Sequence, residues 1–118
     1  MRSLVAAVCM VASFAPSFVV AQSKLDFTLL NRTGLTVNEL YVAPTNVDDW
    51  QEDVLGRDVL KHGESVDISF SRTEKSCMWD LKIVDEDEDE VEWSNLDLCK
   101  AEHITLMYEN GRPTAIVK

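Results

Sequence analysis

The chain has 118 residues, 11 basic and 21 acidic side chains, a formal net charge of −10 and 46% hydrophobic residues. That length sets a ceiling of one domain. A surface so acidic argues against nucleic acid as a partner, because phosphate backbones repel it.

At the amino terminus Arg2 precedes an apolar stretch from Leu4 to Val20, which ends in the small-residue exit Val19-Val20-Ala21. This is the layout of a secretory signal peptide cut after Ala21, leaving residues 22–118 as a single domain. The rival reading is a membrane anchor. Ser13, Pro16 and Ser17 interrupt that stretch, and a spanning helix wants about 20 mostly apolar residues. Cleavage is therefore expected, with a periplasmic or secreted product and no membrane span. It removes one base and no acid, so the net charge of −10 becomes −11. Cys9 leaves with the signal.

From Leu25 onward the apolar residues recur every second position. Phe27 and Leu29 fall on one face, as do Leu40 and Val42, then Val66, Ile68 and Phe70. Trp79, Leu81 and Ile83 follow, then Ile104, Leu106 and Tyr108. Period two is the signature of half-buried strands. Asn31-Arg32-Thr33-Gly34, His62-Gly63 and Asn110-Gly111 before Pro113 supply turn residues between them. One stretch has a helical flavour: Asp48 or Asp49 can cap, Trp50 and Val54 lie four apart, and Gly56 can terminate. The expected fold is all-β: a small antiparallel β-sandwich, Ig-like, of seven to eight strands, with one short helical turn and one disulfide. A closed five-stranded barrel is the alternative.

The disulfide follows from the compartment. Without Cys9, only Cys77 and Cys99 remain, and two thiols in an oxidising space have one intramolecular pairing. Cys77 opens one strand and Cys99 closes the next, which places both half-cystines at the open end of a hairpin. Neither cysteine stands in a CxxC or CxxH spacing, so a metal-binding or catalytic thiol is the weaker reading.

At the opposite end of that hairpin lies Asp85-Glu86-Asp87-Glu88-Asp89-Glu90, with Glu92 just beyond. Hard cations take several carboxylate oxygens, so Asp85, Asp87 and Asp89, joined by Asp48 and Asp49, form a candidate calcium site. The run lacks the glycine and terminal glutamate of an EF-hand loop. The competing reading is a solvated acidic tip. A second acidic group, Asp48, Asp49, Glu52, Asp53 and Asp58, surrounds Trp50, which makes Trp50 a candidate contact for a basic partner. Trp79 and Trp93 are expected in the core.

The catalytic inventory is poor. His62 and His103 are separated by 41 positions, and no serine stands in a GxSxG elbow. A small hydrolase using His62 or His103 as base would need an acid coupled to the imidazole in a cleft.

The motifs Phe27 to Gly34, Leu40-Tyr41-Val42, Asp48-Asp49-Trp50 through Gly56, Cys77-Met78-Trp79-Asp80-Leu81 and Asp97-Leu98-Cys99 together resemble a group of small signal-bearing bacterial proteins without an established activity. Members of that group sometimes carry the name argininosuccinate lyase. The name does not fit this chain: the lyase is a large helical oligomer, and its GSSxMPxKxN loop has no counterpart here. The resemblance implies a periplasmic or secreted β domain and supplies no catalytic residues. The expected function is accordingly a non-catalytic binding or interaction domain of the cell envelope without a cofactor. Its partner would be an envelope protein, met through a sheet edge or the acidic loops near Trp50. A calcium-binding protein and a small hydrolase are the alternatives.

Overall fold

The computed structural model describes residues 23–118; the expected signal peptide, with Cys9, lies outside the described residues. Seven strands form: β1 (Phe27–Arg32), β2 (Val37–Pro44), β3 (Ser65–Ile68), β4 (Met78–Asp85), β5 (Glu90–Asp97), β6 (His103–Glu109) and β7 (Arg112–Val117). They build two sheets, one of order β3-β1-β6-β7 and one of order β2-β4-β5. The architecture is the expected all-β sandwich.

Alternation decides which face is buried. In β4, Trp79, Leu81, Ile83 and Asp85 point inward while Asp80, Lys82 and Val84 are half-buried on the outer face. Leu29, Leu40, Leu81, Ile83, Ile104 and Leu106 are almost completely removed from water, each worth about 2 kcal/mol in transfer terms. In β2 a bulge between Val37 and Glu39 shifts the alternation, so Val37 and Leu40 are both buried. Trp93 is buried on β5 and its indole Nε1 donates to the Thr114 carbonyl on β7 at 2.7 Å, tying the two sheets at that side.

Two local expectations change. Pairing is antiparallel except between β1 and β6, which run parallel with Thr28 opposite His103. The chain visits the second sheet between them, for β2 and again for the β4–β5 hairpin, and so returns beside β1 in the same direction. The stretch Asp48–Gly56 is not helical: it is an irregular segment ending in a turn at residues 54–57. The Asp53 carboxylate accepts from the Leu40 and Leu55 backbone N–H groups, both at 2.9 Å, and Val54 N–H donates to the Leu40 carbonyl. Local side-chain bonding thus competes with helix formation, and the bonds go instead to the outer edge of β2. Among the described residues the helical turn is a 3-10 turn at Leu98–Lys100, capped by the Asp97 carboxylate on Cys99 N–H.

The Cys77–Cys99 disulfide is present, with Cα atoms 5.1 Å apart. It joins the residue before β4 to the 3-10 turn after β5, and Leu98 N–H donates to the Cys77 carbonyl beside it. Opposite it, Asp85 N–H bonds the Asp89 carbonyl and Glu88 N–H bonds the Asp85 carbonyl, closing a three-residue tip.

An acidic and aromatic outer face

Register places Tyr41 of β2 opposite Lys82 of β4, and Lys82 opposite Glu92 of β5. All three lie on the outer face of the β2-β4-β5 sheet. The loop after β2 brings Trp50 onto the same ammonium: Lys82 Nζ sits 5.0 Å from the Tyr41 ring centroid and 5.1 Å from that of Trp50. Two ring faces on one cation are an electrostatically favourable arrangement. Glu90 lies 3.9 Å from the same nitrogen and is itself mostly exposed. Glu39 accepts a short hydrogen bond from the Tyr41 hydroxyl. That bond, then partial burial and the nearby charges of Glu39, Asp53 and Glu90, hold the Tyr41 phenol protonated and push its pKa up to about 12. The face therefore concentrates aromatic rings and carboxylates around a single internal cation.

The acidic tip is organised differently. Asp85 is buried, 5% exposed, and its Oδ1 accepts from the backbone N–H groups of Asp87 and Asp89, both at 2.9 Å. Asp85 thus serves as the anchor of the turn. Glu88 takes a left-handed φ of 68°. Glu86 to Glu90 are exposed. Asp48 and Asp49 are exposed and follow the Pro44 end of β2, which pairs with Trp79; Asp85 is opposite the other end of β2, at Val37. Among the described residues one group of three ligand-type side chains brings its donor atoms within 4.8 Å of one another: Cys77, Asp97 and Cys99. Two of those three are consumed by the disulfide. The proposed ligands Asp85, Asp87, Asp89, Asp48 and Asp49 are not part of it.

The histidines are both exposed. His62 Nδ1 accepts from Gly34 N–H at 2.9 Å, as one strand of a polar knot around Asn31. Asn31 is fully buried at the end of β1. Its amide nitrogen donates to the Leu35 and Leu60 carbonyls, and its oxygen accepts from Thr33 N–H and Thr33 Oγ1. His103 opens β6 beside Thr28. Among the described residues, the ion pair within 4.0 Å is Lys82 with Glu90, and neither imidazole is paired with an acid.

Trp50 was legible from its acidic surroundings. Tyr41 and Lys82 were not, since each reads as an ordinary outward residue of an alternating strand, and only register makes them neighbours. A sequence signal did exist in the Glu39-x-Tyr41 spacing, which puts both side chains on one face.

No protein-family model matches the chain, and no curated protein matches it. Among solved structures, the NMR structure of a protein from Eubacterium rectale is similar, with a TM-score of 0.55 at 17% identity over 78% of this chain and 85% of that one. That likeness is one of fold.

Proposed function

We propose that the protein is an exported, non-catalytic binding domain of the cell envelope, whose contact surface is the outer face around Trp50 and whose partner presents basic side chains. The observation that carries this reading is the Tyr41–Lys82–Trp50 stack with Glu39, Asp53 and Glu90 about it. A face that already holds one ammonium between rings has the chemistry to meet others, and a net charge of −10 favours basic partners at long range. The disulfide fits an oxidising compartment. Among the described residues no helix is long and apolar enough to cross a membrane.

Two measurements test this. Amino-terminal sequencing of the protein recovered from outside the cytoplasm should begin at Gln22; an uncut chain retained in the cytoplasm defeats the export claim. Titration with a deca-lysine peptide at physiological salt, followed by NMR, should shift the Tyr41, Trp50 and Lys82 signals, and Trp50→Ala should weaken binding about fivefold. Shifts confined to Glu86–Glu90, unaffected by Trp50→Ala, would mean that the peptide finds only a solvated charge run.

A further inference from the structure

A cleft of about 340 Å³ opens between the two sheets on the side where β2 faces the segment after β3. Its floor is apolar: Phe70 packs edge-on against Trp79, with centroids 4.9 Å apart, and Val42 and Ile68 lie beside them. Val47 and Val54 wall it and are 44% and 42% exposed, two of the six large apolar residues that the described surface leaves in water. The charged residues lining the cleft are Glu52 and Glu74, with no base among the lining residues.

The walls are fixed by the chain itself. Phe70 N–H donates to the Asp26 carboxylate at 2.8 Å, Val54 N–H to the Leu40 carbonyl at 2.8 Å and Val47 N–H to the Pro44 carbonyl at 3.0 Å. The Trp79 indole N–H is already spent on the Ser76 carbonyl at 2.7 Å, so the floor offers no unsatisfied donor from that ring. A pre-formed apolar recess loses little conformational freedom on filling. A wider depression along residues 54–66 is lined by Arg57 and Lys61 as well as Asp58 and Glu64, so its charges cancel.

We infer that this cleft is a binding site for a peptide segment of a partner that carries a large apolar side chain flanked by lysine or arginine. The apolar side chain enters between Val47, Val54 and Phe70, and the flanking cations meet Glu52 and Glu74. Charge complementarity selects this occupant: an acid rim without a base rejects an acidic segment, while Val42, Val47, Val54, Ile68, Phe70 and Trp79 give an apolar side chain its contacts, and Gln51, Ser69 and Ser71 stand among them as neutral polar groups. The lining of this cleft includes Gln51 and Glu52 but not Trp50, Tyr41 or Lys82 of the outer face.

The test uses the oxidised protein and three capped tripeptides, Lys-Phe-Lys, Lys-Ala-Lys and Glu-Phe-Glu, titrated by NMR. Lys-Phe-Lys should give saturable shifts at the Val54 and Phe70 amides and the Trp79 indole, and the other two should bind at least about fivefold more weakly. Glu52→Gln with Glu74→Gln should narrow the preference over Glu-Phe-Glu, and Val54→Ser should weaken Lys-Phe-Lys as read at the Phe70 amide and the Trp79 indole. Both variants alter exposed side chains, so retained amide dispersion verifies their fold. Equal binding of all three peptides, absence of saturable shifts at the cleft, or concentration-dependent self-association that covers the cleft in the free protein would each overturn the inference.

Discussion

Glu88 is the residue where sequence and backbone disagree most plainly. Its left-handed φ of 68° sits at the third position of a three-residue hairpin tip, a place that suits glycine. An L side chain there costs about 1 to 2 kcal/mol. Glu88→Gly is therefore expected to stabilise the protein by about 1 kcal/mol in urea unfolding, whereas Glu88→Ala, which removes the charge and keeps the strain, gains less. Equal gains from both would mean that repulsion, and not backbone geometry, dominates the tip. Asp85 shows why composition misleads at such a site. Its carboxylate looks like one cation ligand among six, yet one oxygen is committed to two backbone N–H groups.

At the scale of elements, each free edge of the sandwich is blunted by a different device. The edge of β2 is covered by its own following loop, through Asp53, Val54 and the Val37–Leu60 bridge. β3 is four residues long, β5 is bulged around Asn95, with its φ of 60°, and β7 carries Pro113 between Arg112 and the chain end. The disulfide clamps the remaining weak point, the open end of the β4–β5 hairpin. Closing 22 residues of chain should contribute about 3 kcal/mol. Full reduction is therefore expected to lower Tm by roughly 15 °C for a domain of this size, and an unchanged melt with both thiols demonstrably free contradicts that role. Strands, turns and the cysteine pair were legible because each leaves a local mark: period two, Asn-Gly with Pro113, and two thiols without alternatives. The helical turn was misplaced because Asp48 and Asp49 read as caps, whereas Asp53 and Val54 further along bond the edge of β2 instead. The parallel β1–β6 pair leaves no local mark, since inward and outward alternation is the same in either direction. The cleft was equally hidden: Val47 and Val54 lie in the loop after β2, and sheet packing is what sets them against Phe70 and Trp79.

Charge acts at the scale of the whole molecule. With 21 acids against 11 bases, self-repulsion opposes the compact state and added salt relieves it. Raising ionic strength from about 0.01 M to about 0.15 M shortens the screening length from about 30 Å to about 8 Å and should raise Tm by about 5 °C. At matched ionic strength, calcium and magnesium are expected to stabilise equally, because the tip's anchoring carboxylate is already bonded within its own turn. A calcium-specific rise would restore Asp85, Asp87 and Asp89 as ligands.

The parallel pairing has a consequence in time as well as in space. β1 emerges first from any vectorial process, yet its neighbour β6 lies 75 positions downstream, as Thr28 and His103 show. The central pair of the larger sheet cannot zip until nearly the entire polypeptide is present, and such non-local closure slows folding. A chain with this topology reaches its native state late, which is the state of affairs that the proposed export requires of a polypeptide that must stay threadable.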